Sequence, residues 1–439
     1  MRMKQLFLMC FSLIVLQTVW AKELYFPPVN NTLIWDKTTP EALNWKTENI
    51  DSLYRFLETE NSKAFIVLKD GKIVLEKYFG DFTADSLWYW ASAGKTITSF
   101  LIGKAQEESY LKIEDPVSKY LGVGWTACNA SQENAITIRH QLTMTTGLDD
   151  GVADNHCTSA QCLVYKADPG DRWAYHNAPY TLLENVIEQA TSTSINLYTH
   201  SKLKTKTGMN GAWVTLGYDN VYYSNARSMA RFGLLMQNNC VWNNDTLLHD
   251  SVYLKASLNS SQAINKSYGY LWWLNGKGSY MLPTLQFVFQ GNYAPDAPDD
   301  MYAALGKNGQ IISVSPSQGL VIVRMGNVPN SPAADIAPQL CNQIWKKLNA
   351  ITDYKTHVST QMLPNNIKLF PTIVDDIFTL SFDRKADKLL IYNSNGVLMD
   401  LQTELSGSYS HNVKSYARGV YLVITVTNNQ ITRNYFLKR

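Results

Sequence analysis

Strand signals stand at both ends of a long helical stretch, and this order limits the fold more than any other feature. "KAFIVLKDGKIVLEKYFG" reads as two strands joined at Asp70-Gly71, a pair suited to the positive-φ positions of a tight hairpin turn. "QIISVSP" and "GLVIVRMGN" read as two more strands around the turn "SPSQG". Between them a helix is predicted from Ser92 to Glu107 and another in "ITIRHQLTMTTGL", ending at Gly147. Helical spacing returns in "YTLLENVIEQATS" and "ARSMARFGLLMQNN", and "APQLCNQIWKKLN" adds a closing helix. Strands, then helices, then strands predict an α+β domain whose sheet is completed by both ends of the segment.

The chain has 439 residues, more than one ordinary core accommodates. Its character changes near residue 350. Residues 351–366 read as a linker, and from Ile367 onward the pattern is all-β. Hairpins are predicted at Asn395-Gly396 and Asn428-Asn429, giving a small separate β-sandwich over 367–439. At the other end, Arg2 and Lys4 flank the apolar "LFLMCFSLIVL", and "VWA" ends at Ala21. This reads as a signal peptide over 1–21, leaving 22–350 as the main domain. The run is short for a bilayer, and no later segment is apolar enough to cross one.

Cys10 lies in the signal segment. Cys128, Cys157, Cys162, Cys240 and Cys341 remain, an odd number in a chain expected to be exported. Cys157 and Cys162 can close a small loop, but the spacing does not fix the pairing. A net charge of +2 offers no basic field for nucleic acid. With no H-E-x-x-H and no Cys/His ligand spacing, neither a metal nor another cofactor is expected.

"WYWASAGKTITSFLIGKA" places Ser92 three residues before Lys95. A serine hydroxyl is a poor nucleophile until a base takes its proton. On a helix the two residues share a face, and a desolvated lysine loses its proton more readily. The helix N-terminus would favour an oxyanion. The same spacing recurs at Ser109–Lys112 and Ser201–Lys204, among polar residues; only Ser92 has an apolar, aromatic setting. The ordinary role for a serine here is a helix N-cap.

"DPGDRWAYHNAPYTLLENVIE" puts Tyr175 and Asn177 before a helix. A tyrosine near a lysine can act as acid/base, and an asparagine can hold an amide. The pattern Y-x-N also occurs at Tyr218–Asn220 and Tyr223–Asn225, so spacing alone assigns nothing. The insert "VADNHCTSAQCLVYKADPG" is expected to shape the pocket. His140 and His176 read as structural. No G-x-S-x-G is present, since Trp90 stands where the first glycine would be.

Six blocks occur in an order that resembles the β-lactamase-related, penicillin-recognising serine hydrolases, in their class C-like esterase and 6-aminohexanoate-dimer hydrolase branch. They are "VLKDGKIVLEKYFG", "ASAGKTITSFLIGKAQEESYLKIEDPVSKYL", "ITIRHQLTMTTGL", "PGDRWAYHNAPYTLLENVIEQAT", "ARSMARFGLLMQNN" and "GKNGQIISVSPSQGLVIVRMGN". They run from Val67 to Asn327, with the closing helix to Asn349. The resemblance implies a β-lactamase/transpeptidase-like antiparallel sheet with a helical subdomain. It implies Ser92 as acyl-forming nucleophile, Lys95 as its proton partner, Tyr175 as second acid/base residue and Asn177 as a substrate or lysine contact. The acylation base in such enzymes is disputed, so Lys95 and Tyr175 are treated as a coupled pair.

The family's third motif, Lys-Thr-Gly on a strand, has no clear counterpart. A literal copy at Lys206–Gly208 falls in "KLKTKTGMNGAW", which matches a different loop. The strand slot falls near Met301-Tyr302-Ala303 and has no lysine. Lys307 is the nearest cation and a candidate substrate contact. The backbone N–H of Ala304 is expected to join that of Ser92 in an oxyanion hole. Loss of the lysine disfavours β-lactams, whose carboxylate is gripped there, and favours esters or amides without one. Two alternatives stay open: a β-lactamase or D,D-peptidase acting on penicillins or peptidoglycan peptides, and a non-catalytic surface-binding protein.

"IKLFPTIVDDIFTLSF", "LLIYNSNGVLMD", "YARGVYLVITV" and "NYFLKR" resemble a type IX secretion sorting domain. This implies a Gram-negative source, the type IX machinery as partner, and a secreted or cell-surface location.

Overall fold

The computed structural model describes residues 24–30, 34–330, 338–354, 367–393, 397–427 and 430–439. The expected signal peptide, most of the expected linker and the turn residues Asn395, Gly396, Asn428 and Asn429 lie outside them. No described helix is long and apolar enough to cross a membrane.

The main domain begins with α1 (Ile50–Thr59), β1 (Ser62–Lys69) and β2 (Lys72–Tyr78). After β3 (Trp88–Tyr89) come α2 (Lys95–Glu107), α3 (Ile138–Leu142) and α4 (Asn177–Thr191). A hairpin, β4 (Ala212–Leu216) and β5 (Asp219–Ser224), leads to α5 (Ala226–Gln237). The sheet resumes with β6 (Trp273–Leu274), β7 (Tyr302–Gly306), β8 (Gln310–Ser315) and β9 (Leu320–Gly326), and α6 (Pro338–Thr352) closes the domain. Six strands form one antiparallel sheet in the order β2-β1-β9-β8-β7-β6. Strands from the two ends of the main domain therefore pair, β1 against β9. A smaller sheet, β3-β5-β4, flanks the site.

At the β1–β2 turn, Asp70 and Gly71 take φ of 49° and 84°. A Cβ on Gly71 would lie 1.9 Å from the Tyr25 carbonyl oxygen, so only glycine fits. β8 and β9 are buried along their whole length because helices cover both faces. On one face α5 approaches so closely that a Cβ on Gly233 would meet Val321 at 2.4 Å. On the other, Trp345 of α6 donates its indole N–H to Ser313 Oγ at 2.9 Å. Arg324 of β9 is fully buried and donates to the carbonyls of Asn308 and Gly309 at 2.9 and 2.7 Å. It thereby fixes the turn between β7 and β8 beside the site.

Two helices differ from expectation. The helix expected to reach Gly147 ends at Leu142. Thr143 turns its hydroxyl back onto the Arg139 carbonyl at 3.0 Å, and Met144 adopts φ 58°. Such local side-chain bonding competes with helix continuation. The released segment runs beside the irregular stretch that carries Tyr175, where Ala174 N–H donates to the Met144 carbonyl at 2.9 Å. The helix expected from Ser92 begins at Lys95, preceded by a 3-10 turn over Ala91–Gly94.

After the main domain, β10 (Ile367–Phe370), β11 (Ile373–Val374), β12 (Ile377–Tyr392), β13 (Leu398–Asn412), β14 (Gly419–Thr427) and β15 (Gln430–Lys438) form one sheet. Its order is β10-β12-β14-β15-β11, with β13 also on β12. The sheet curls nearly closed around its own core of Phe378, Leu380, Ile391, Tyr421, Val423 and Phe436. Tyr421 and Phe436 stack there at 5.1 Å.

Candidate active site

The segment entering α2 is held rigidly. Trp90 is fully buried, donates its backbone N–H to the Tyr222 carbonyl at 2.8 Å and its indole N–H to Ser224 Oγ at 2.7 Å. Ala91 follows at φ 47°, an unfavourable conformation for an alanine and one kept only where surroundings enforce it. Ser92 comes next, half-buried in the 3-10 turn. The residue capping α2 is Gly94, with no side-chain cap bond. The ordinary role for Ser92, helix capping, is therefore unfilled. A 3-10 turn eclipses residues three apart, which puts Ser92 and Lys95 on one face.

β7 supplies the opposite wall. A Cβ on Gly306 would stand 2.4 Å from the Trp90 carbonyl oxygen and 2.9 Å from the Ala93 nitrogen. The serine turn therefore abuts the end of β7 at Gly306. Ala304 sits two residues earlier, opposite Ile312 in the sheet. Lys307 is exposed in the Lys307–Gly309 turn, where Asn308 at φ 62° donates its amide to the Tyr89 hydroxyl at 2.7 Å. In the slot expected for the third motif, Tyr302 is buried and donates to the Met236 carbonyl at 2.9 Å. In the literal Lys-Thr-Gly copy, Lys206 is exposed and pairs with Asp245 at 2.9 Å, while Thr207 is buried.

Lys95 is buried, with 3% of its surface exposed. Its Nζ donates to Asn177 Oδ1 at 2.9 Å and lies 3.6 Å from the centre of the Tyr180 ring. Burial pulls its pKa from 10.5 down to about 7, while the charges of Asp219 and Glu184 pull it back up. Tyr175 is buried, hydrogen-bonded to the Ser92 side chain and stacked on Trp273, with ring centres 6.1 Å apart. Burial pushes its phenol well above the ordinary tyrosine value. Near neutral pH, then, Tyr175 carries its proton while Lys95 is poised to accept one. Ser92, Lys95, Tyr175 and Asn177 converge. Ala304 lies in β7 and Lys307 in the turn just past it, on either side of the Gly306 that abuts the serine turn.

Several groups behind Lys95 escaped the sequence reading. Glu184 of α4 is buried, and burial pushes its carboxyl up to about 8. Asn220 donates to it at 2.5 Å. The other face of Asn177 meets His156, with Nδ2 3.2 Å from the ring Nε2. His156 Nδ1 lies 2.7 Å from Asp219 Oδ1. Asp219 and Asn220 belong to the Tyr218–Asn220 repeat that spacing alone could not assign. His156 lies in the insert expected to shape the pocket. Cys157 and Cys162 are disulfide-bonded beside it, and Cys128, Cys240 and Cys341 are free thiols.

The two histidines that read as structural in the sequence, His140 and His176, are placed so. His140 takes part in a capping box with Thr137 at the start of α3. His176 is buried, neither ring nitrogen has a hydrogen-bond partner, and burial pushes it down to about 4, so it is neutral near pH 7.

The Beta-lactamase family model matches residues 59–340, and the model for a secretion system C-terminal sorting domain matches 368–438. An uncharacterized protein of Alkalihalophilus pseudofirmus is 24% identical over 323 residues, covering 65% of this chain and 89% of that protein. Protein flp of Staphylococcus aureus is 29% identical over 164 residues, 32% of each chain. Among solved structures, a Bacillus anthracis protein assigned by its description to the 6-aminohexanoate-dimer hydrolases superposes with a TM-score of 0.57 at 17% identity, covering 74% of this chain and 89% of that one. A penicillin-binding protein homologue from Pyrococcus abyssi gives 0.55 at 15% identity, covering 90% and 96%. At such identities the structural likeness establishes the fold.

Proposed function

The chain belongs to the Beta-lactamase family, and from that premise we propose that it is a secreted serine hydrolase that cleaves an ester or amide through an acyl-Ser92 intermediate. The observation that carries this reading is the buried Lys95 amine, with its pKa near 7, on one face with a serine that caps no helix and that Tyr175 hydrogen-bonds.

Ser92 Oγ attacks the substrate carbonyl as its proton passes to the Lys95–Tyr175 pair. The oxyanion is met by the backbone N–H of Ser92 and a donor from the end of β7 at Gly306, in place of Ala304. The pair then protonates the leaving oxygen or nitrogen as its bond to the carbonyl carbon breaks. Water attacks the acyl group by the reverse route, giving up its proton to the same pair. Asn177 holds the Lys95 ammonium or amine in line. The third-motif slot holds the buried Tyr302 instead of a lysine, which supports a substrate without a β-lactam carboxylate. Lys307 then meets the outer part of the substrate. The sorting domain supports export to the surface or medium through the type IX machinery, after removal of residues 1–21 as a signal peptide.

The test is hydrolysis of p-nitrophenyl butyrate by the mature protein beside Ser92→Ala, with intact masses taken after mixing with penicillin. Turnover lost in the variant, with no penicillin adduct, is expected. An adduct on Ser92 moves the reading to a β-lactamase or D,D-peptidase. Equal rates in both proteins refute Ser92 as nucleophile.

A further inference from the structure

Asn177 has two polar faces, and both are occupied. Its Oδ1 accepts from Lys95 Nζ at 2.9 Å. Its Nδ2 must therefore donate on the other side, where His156 Nε2 lies at 3.2 Å and Asn155 Oδ1 at 3.4 Å. Only an unprotonated Nε2 can accept that bond. The imidazole proton then sits on Nδ1 and points at Asp219 Oδ1, 2.7 Å away. Every donor and acceptor from Asp219 to Lys95 follows in order. Reversing the amide would aim its NH2 at the lysine and remove the acceptor that holds the ammonium.

A nearer bond supports the same ordering. Ala178 N–H donates to the Asn155 carbonyl at 3.0 Å, so the loop carrying His156 is tied to the first turn of α4. His156 is itself seated, its backbone N–H donating to Asp154 Oδ1 at 3.0 Å. Asp219, at the start of β5, leads the two charges that raise the Lys95 pKa; Glu184 of α4 is the other.

We propose that His156, held by Asp219, is a positioning residue that fixes the orientation of the Asn177 amide and so the placement of Lys95. The proposal rests on the reading of Ser92 as nucleophile. A single wrong amide orientation misplaces the proton acceptor, and misplacements on this scale cost about a hundredfold in rate.

The experiment follows Ser92 labelling by a fluorophosphonate probe, as a rate against pH, in the full mature chain. Variants are His156→Ala, His156→Gln and Asp219→Asn, each checked for folding by its thermal transition. His156→Ala is expected to label about ten- to a hundredfold more slowly. His156→Gln restores most of the rate, because its amide can accept from Asn177 and donate to Asp219. Asp219→Asn moves the midpoint of the pH profile to lower pH, because Lys95 loses its leading neighbouring charge. A purely structural role would move the thermal transition and leave that midpoint alone. Wild-type rates and midpoints in folded His156→Ala and Asp219→Asn overturn the proposal, as does a His156→Gln protein as slow as His156→Ala. Failure of the wild type itself to label at Ser92 overturns the underlying reading instead.

Discussion

Lys95→Met is expected to abolish hydrolysis and stabilise the fold at once. Methionine keeps an unbranched side chain of similar length and discards the ammonium. In the native site that ammonium has lost its water, which lowers its pKa from 10.5 to about 7. The gap between those values is worth about 5 kcal/mol, of which about 4 is felt at pH 7, where the native amine is already half neutral. Against this stands the loss of the donor to Asn177 Oδ1, which costs about 1–3 kcal/mol. A net gain of about 1–3 kcal/mol remains, enough to raise Tm by a few degrees. The sign of the pH dependence is fixed. Because the native pKa lies below the unfolded one, the penalty in the wild type is fully present below pH 7 and disappears as pH rises toward 10.5. Denaturant unfolding of both proteins at pH 7 and pH 9.5 should show the variant's advantage shrinking by about 3 kcal/mol. Glu184, whose carboxyl Lys95 helps to ionise, titrates higher in the variant, which adds to the shrinkage. A difference between the two proteins that stays flat with pH would refute the reasoning, since Lys95 would then titrate as an ordinary lysine.

Two further outcomes follow from the same geometry. Ester turnover by the wild type should rise with pH through a midpoint near 7, as Lys95 becomes the neutral base, with no loss until Tyr175 ionises far above its usual range; a rate that falls across pH 6–8 would contradict this assignment. Gly306→Ala should lower turnover of p-nitrophenyl butyrate by tenfold or more while the chain still folds, because its Cβ would press on the Trp90 carbonyl and the Ala93 nitrogen; an unchanged kcat would show that the serine turn tolerates displacement.

The parts of the molecule legible in the sequence were those fixed by short-range rules. Asp70-Gly71 announced its hairpin because two adjacent positive-φ positions are needed there. The Ser92 and Tyr175 blocks stood out because aromatic and small residues crowd around them. What stayed hidden depends on contacts made across the fold. The helix expected up to Gly147 stops where the Thr143 hydroxyl turns back onto the Arg139 carbonyl and Met144 takes a positive φ. Ala304 was proposed by counting along a strand, and a count does not reveal that the strand's end, at Gly306, is what packs against Trp90 and Ala93 on either side of the serine. His156 and Asp219 lie 63 positions apart, and no periodicity links an irregular loop to the first residue of a small strand. The Tyr218–Asn220 triplet carried a signal, but the same triplet elsewhere made it uninformative until the sheet was built.

The disulfide between Cys157 and Cys162 begins at the residue after His156, whose ring meets Asn177, and closes the short loop that follows. Such a bond does not persist in a reducing cytoplasm. A newly made chain there already has its serine, lysine and tyrosine, but lacks the covalent closure next to His156. Oxidation outside the cytoplasm adds that tie. Under the proposed reading, the covalent tie beside the Asn177 brace is thus made only after export, so the redox state of the compartment bears on the geometry behind Lys95.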